Sequence, residues 1–273
     1  MELKATRYEV DGPVATLWLS RPSRHNAWTG RMHTEYRHCL QQADDDPAVR
    51  VVVVAGDPDG NAFCVGGDAE ALSGHAARGG YDPGTGDDLA LPGYGVRAEF
   101  DADFVFQFGL RVAVVAAVNG AAAGVGLAVA CFADVSFVGE DARLTTAHGR
   151  LGLPAEYGLS WVLPRRVGLT RAADLLLTSR IFTGAQAAEW GLALEAVPRD
   201  EVTGVADTYA RDLASSVAPS SLRVTRRQLF GDLHGDAAAS VEEANRLLDE
   251  MMGLPDYAEG VAAFRDKRPP RWG

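Results

Sequence analysis

Cysteine is scarce in this chain: Cys39, Cys64 and Cys131 stand at wide spacings with no CxxC pair. That argues against a disulfide framework or a thiolate zinc site and fits a reducing cytoplasm. Metal-binding patterns are missing as well. None of His25, His33, His38, His75, His148 and His234 forms an HExxH or pairs with a cysteine at ligand spacing, so no metal is expected. A cationic excess is also lacking, since 26 Lys and Arg against 37 Asp and Glu give a net charge of −11. Nucleic acid is therefore not an expected partner. A small anionic ligand stays open, because a few local cations and helix N-termini bind phosphate even on an acidic protein.

Three catalytic signatures are absent too. There is no GxSxG nucleophile elbow, no GxxxxGK[ST] phosphate loop, and no GxGxxG that ends a strand with an acid about 20 residues on. The first residues, MELKATRYEVDG, carry charges where a signal peptide needs an apolar core, and read as the start of the mature fold. The uncharged run from Val112 to Ala133 spans 22 residues, long enough to imitate a membrane span. Asn119-Gly120 is a turn signal, and Gly124 and Gly126 weaken a helix, so the run divides into a buried strand, a turn and a buried helix. No membrane association is expected.

What is present is ordinary globular composition, 47% hydrophobic and 23% charged over 273 residues, enough for one large α/β domain. Tyr8–Val10, Asp11-Gly12 and Val14–Leu19 predict a hairpin. Thr29 caps a helix with apolar positions Met32, Tyr36, Cys39, Leu40 and Ala43, and Val51–Ala55 reads as a strand covered on both faces. A strand at 62–65 breaks at Gly66-Gly67, and Asp68 starts a short helix to Leu72. Residues 73–95 read as a mobile lid or disordered loop and 97–108 as a helix. Strands are expected at 112–118, 135–138 and 144–146. Helices follow near 157–166, 170–178, 185–190, 201–216, 220–230, 237–252 and 256–266, with Thr183 as a cap and Gly191 as a stop.

Two glycine turns, 63–68 and 119–126, each stand between a buried strand and a helix start. Both can aim backbone N–H groups into one pocket, the pair of donors that stabilises a developing oxyanion. They can equally serve close packing alone.

Leu19-Ser20-Arg21-Pro22 with Asn26-Ala27, then Ala62 to Asp68, Ala117 to Gly126, Ala133-Asp134, Thr183 to Leu192 and Glu259 to Arg268 together resemble the enoyl-CoA hydratase/isomerase family, the crotonases. The matches follow the family's order along nearly the whole chain. The resemblance implies an α/β crotonase-like spiral of ββα turns at 1–200 with the acyl-CoA site, and a helical C-terminal trimerisation region at 201–273. It also implies a homotrimer or dimer of trimers, an acyl-CoA thioester as ligand, and no cofactor beyond the coenzyme A of the substrate. The backbone N–H groups of Gly67 and Val125 would hold the thioester oxygen. Arg24, Ala27, Val65, Gly66, Asp68 and Ala69 would line the coenzyme A path. Phe264 and Lys267 match a terminal segment that reaches the nucleotide end, although Lys267 beside Arg265 and Arg268 also reads as a solvated charge.

One departure decides the chemistry. Hydratases of the family flank their water with two glutamates, and those positions here hold Ala128 and His148. Glu156 falls where isomerase-like members carry an acid, and is the expected acid/base; a carboxylate in an apolar pocket is the better base for a thioester proton. It can instead complement the dipole of the helix it begins. His148 is a candidate second proton carrier or a structural histidine, and Asp68 and Asp134 read first as structural. Double-bond isomerisation is favoured slightly over hydration, in which His148 or Tyr157 would position water. A non-catalytic acyl-CoA binder is the alternative from another class.

Overall fold

In a computed structural model of the protein, residues 1–79, 96 and 98–272 are described. The hairpin β1 (Thr6–Asp11) and β2 (Val14–Leu19) begins a six-stranded sheet that continues with β3 (Val51–Gly56), β4 (Ala113–Val118), β6 (Val135–Gly139) and β9 (Glu195–Val197). Every pair after β1·β2 is parallel. A smaller sheet holds β5 (Ala122–Ala123), β7 (Arg143–Thr145) and β8 (Phe182–Thr183). Cys64 bridges to Ala122 in parallel. The chain thus repeats one motif: β3, Cys64, then helix α2 (Ala69–Arg78); β4, β5, then α3 (Val125–Cys131); β6, β7, then, after a helical turn at His148–Leu151, α4 (Leu159–Val167). Each repeat puts a strand in the large sheet, a short pairing in the small one, and a helix start beside it.

The continuous valine run of β3 follows from cover on both faces. Val51, Val53 and Ala55 meet α7 (Val202–Ser216), while Val52 and Val54 meet the core shared with α1 (Gly30–Asp45). Ala206, Ala210 and Ala214 recur every four residues and let α7 lie close on the sheet. Helix α7 therefore packs with the spiral, although the boundary expected at 200/201 puts it in the C-terminal region. The other helices are α5 (Leu169–Thr178), α6 (Gly184–Glu189), α8 (Pro219–Gly231), α9 (Ala237–Met252) and α10 (Pro255–Asp266).

Three predicted caps are formed. Thr29 accepts from the Met32 amide, Asp68 from the Glu70 amide, and Thr183 completes a capping box with Gln186. The loop expected at 73–95 is helical through Arg78, its rest lying outside the described residues apart from Gly79. The helix expected over 97–108 is two short 3₁₀ turns, Ala98–Phe100 and Val105–Gly109. Phe100, Phe104, Phe106 and Phe108 are all buried, which no single helical face allows. The carbonyls of Gln107, Phe108 and Leu110 accept from the Arg226 guanidinium, the Gln107 carbonyl also from the Leu110 amide that closes the second turn. Arg226 also pairs with Asp134 at 2.6 and 2.9 Å, and Phe230 stacks on Phe108 at 3.9 Å, fastening α8 to the core. Glu35, fully buried on α1, accepts from the amides of Lys4, Ala5 and Thr6, each at 2.8 Å, and so anchors the lead into β1.

Among the described residues no helix is long and apolar enough to cross a membrane. The 112–133 run is β4, β5 and α3.

Candidate active site

The two glycine turns are bonded to each other. The Phe63 and Cys64 amides donate to the Ala121 carbonyl at 3.1 and 3.0 Å, and the Ala123 amide donates to the Cys64 carbonyl at 3.0 Å. In the first turn the Trp28 amide donates to Gly66 and the Asp68 amide to Trp28, at 2.8 and 2.9 Å. Gly66 adopts φ of 97°, a conformation that side chains strain. Among the described residues the Gly67 amide between them donates to no protein acceptor. In the second turn Gly124 adopts φ of 51° and Val125 opens α3, where a first-turn amide has no helical partner.

Gly67 and Val125 line one cavity of about 970 Å³. Trp28, Leu72, His75, Ala76, Leu151, Leu153, Tyr157 and Glu156 close around it. Three carboxylates, Asp68, Glu70 and Glu156, share this lining. Burial, the largest influence on Asp68, raises its pKa, but hydrogen bonds from Arg21 at 2.9 Å and from the Glu70 amide hold it below the ordinary range. Glu70 pairs with Arg24 at 3.0 Å. Glu156 is pushed above the usual carboxylate value, by burial, with nearby His148 pulling partly the other way. It stands at the start of a 3₁₀ turn, Glu156–Gly158, whose Tyr157 is left-handed at φ of 53° and packs edge-on against Phe104 at 5.1 Å.

His148 is not among the lining residues; it is 5% exposed, and its Nδ1 is buried without a partner among the described residues. Ala128 is fully buried on α3, so the cavity has no carboxylate from that position. Asp68 acts as helix cap and ion-pair partner, and Asp134 as the anchor of Arg226, as first read.

The structure brings only part of the expected ligand path to the cavity. Asp68 lines it, whereas Arg24, Ala27, Val65, Gly66 and Ala69 do not; their neighbours Arg21, Trp28, Gly67 and Glu70 do. Arg24 is engaged by Glu70, and the Ala27 carbonyl accepts from Arg21 at 2.6 Å. Phe264 and Lys267 stand apart as well. Phe264 is 88% exposed in a separate apolar cleft of about 570 Å³ between α8, α9 and α10, and Lys267 ends α10 at φ of 51°. Sequence reading missed the wall Leu72, His75, Ala76 and Gly79, although their i, i+3, i+4, i+7 spacing marks one helical face.

The family described as enoyl-CoA hydratase/isomerase matches residues 9–273. The chain is 31% identical over 266 residues to the 1,2-epoxyphenylacetyl-CoA isomerase of Escherichia coli, with 96% of each chain covered. It is 32% identical over 272 residues to a probable enoyl-CoA hydratase of Rhodobacter capsulatus, covering 100% of this chain and 99% of the other. A crystal structure of a probable enoyl-CoA hydratase/isomerase from Mycobacterium abscessus superposes with a TM-score of 0.85 at 36% identity, over 98% of both chains.

Proposed function

The chain belongs to the enoyl-CoA hydratase/isomerase family and has its crotonase fold, and from that premise we propose that it isomerises the double bond of an enoyl-CoA thioester with Glu156 as the sole acid/base. The observation that carries this reading is one cavity that joins the two unbonded amides, Gly67 and Val125, to a single carboxylate whose pKa is raised. A 3-enoyl thioester enters with its carbonyl oxygen at the two amides. The Glu156 carboxylate takes a proton from C2, and the charge is shared by C2, C4 and the thioester oxygen, where two preorganised donors oppose it. Protonated Glu156 returns the proton to C4. The double bond has moved from C3–C4 to C2–C3, and the enzyme is back in its starting state.

Hydration is the second reading, and the unpartnered Nδ1 of His148 favours it, since a buried imidazole nitrogen beside Glu156 is a place to hold water or a proton. It predicts that His148→Gln loses 3-hydroxyacyl product, whereas isomerisation through Glu156 alone predicts turnover within about tenfold of wild type.

Exchange in deuterated water separates catalysis from mere binding. The catalytic reading expects deuterium at C2 of a bound thioester, lost in Glu156→Gln. Binding without exchange for acyl groups of every length tried would make the protein a non-catalytic acyl-CoA binder.

The exposed faces of α8, α9 and α10, with Leu248, Met252, Val261 and Phe264 uncovered, support self-association as a homotrimer or dimer of trimers. Phe264 and Lys267 would then meet substrate at a neighbouring protomer's cavity. Light scattering of the purified protein reads the assembly, and a monomer would remove that role.

A further inference from the structure

We infer that Asn119 and Arg199 are positioning residues that set the spacing of the two oxyanion amides from the base of the turns. The inference rests on the reading of Gly67 and Val125 as those donors. Strands β3 and β4 are adjacent and parallel, paired Ala55 to Ala117; the second turn leaves β4 directly, and Gly56 at the end of β3 packs on Ala62 and Phe63 where the first turn begins. Just beyond that pair the Asn119 side chain grips the backbone of Gly56, its Oδ1 accepting from the Gly56 amide at 3.1 Å and its Nδ2 donating to the Gly56 carbonyl at 2.7 Å. This two-point contact joins the last residue of β3 to the first residue after β4, and Asn119 is 8% exposed. A peptide-like amide is the side chain that offers one donor and one acceptor in the plane of a facing backbone unit.

Arg199, two residues past β9, fixes the other side. Its Nε donates to the Asn119 carbonyl at 2.9 Å. Its guanidinium also covers Gly120, where an added Cβ would stand 2.9 Å from Nη2 and 2.8 Å from the Ala62 Cα. Its stem packs beside Gly139, and the polar contact of its guanidinium is with the turn. Above this base the turns cross-bond through Ala121 and Cys64. A tilt of residues 119–120 therefore moves Val125 relative to Gly67, and Arg199 acts on the reaction through the turn without touching substrate.

The test uses Arg199→Met, which keeps the stem and removes the donor, and Arg199→Lys, which restores one. Bound hexanoyl-CoA with a ¹³C thioester carbonyl reports the two donors directly, because hydrogen bonding lowers the carbonyl stretching frequency. The wild type should show a lowered band. Arg199→Met should return part of that shift and lower kcat for 3-hexenoyl-CoA by about tenfold with KM within about twofold, a fraction of the 10²–10³ that loss of a whole oxyanion donor costs. Arg199→Lys should recover most of both. If the wild-type band is lowered and Arg199→Met leaves band and kcat unchanged, the positioning role is wrong while the donors stand. An unshifted wild-type band with ligand bound overturns the donor assignment and this inference with it. A fall in melting temperature with unchanged band and kcat would show a purely structural arginine and overturn the inference as well.

Discussion

The carbonyl of Cys64 occupies the space that a Cβ on residue 126 would need, and the Cys64 Cβ would lie only 2.8 Å from it. This contact presses the first turn of α3 against the first glycine turn, and it is why the second turn ends in glycine. Gly126→Ala must push α3 away, and with it the Val125 amide. We expect a stability loss of about 1–3 kcal/mol from overpacking, read by urea unfolding, and a fall in kcat larger than that in affinity for a CoA thioester. Unchanged kcat would mean that the separation of the turns is immaterial.

Val125 stands at the first position of α3, where proline keeps a helical φ and removes the amide proton without breaking a helical hydrogen bond. Val125→Pro is therefore expected to fold and to lose about 10²–10³ in kcat, as for removal of one oxyanion donor. Steady-state kinetics beside a melting curve checks this, and a folded variant of full activity would exclude the Val125 amide.

The pKa of Glu156 is raised by burial above the ordinary 4.5. As the base it must be ionised, so kcat/KM should fall on acidification through a midpoint above 4.5. Burial of Glu156 has the opposite sign for stability: a raised folded-state pKa favours folding below the unfolded value and loses that contribution as pH rises through the folded one. A pH–rate profile with its acid limb at or below 4.5 would contradict the assignment.

Arg226 is 5% exposed and joins α8 to Asp134 and to three carbonyls of the 105–110 segment. Arg226→Met leaves the Asp134 carboxylate with the Val114 amide at 2.7 Å as its remaining partner, and breaking such a buried ion pair costs about 3–5 kcal/mol. Urea unfolding should register it, and a loss below about 1 kcal/mol would mean that solvent takes the arginine's place.

The parts legible in sequence were those with short-range causes. Thr29, Asp68 and Thr183 announce their helices because a cap bonds two or three residues ahead. The valine run of β3 announces a buried strand because both faces must be apolar. The 97–108 segment misled because the carbonyls at its end are taken by Arg226, more than a hundred residues away. Glu35, bonded to amides about thirty residues earlier, gave no local signal. In the site, the glycine turns stood out, while the positions of Arg24, Ala27, Phe264 and Lys267 relative to the cavity depended on how distant elements pack. Strands β8 and β9, two and three residues long, are too short to leave a periodicity.

The central claim is that Glu156 alone moves the proton, and the direct measurement is turnover of wild type and Glu156→Gln with 2-enoyl-CoA and 3-enoyl-CoA of several chain lengths, resolving 3-hydroxyacyl product from the shifted double bond. The account predicts isomerised product from the wild type, a loss of about 10²–10⁴ in the variant, and thioester affinity nearly unchanged. Hydration that persists in Glu156→Gln would contradict it and move the proton chemistry to His148.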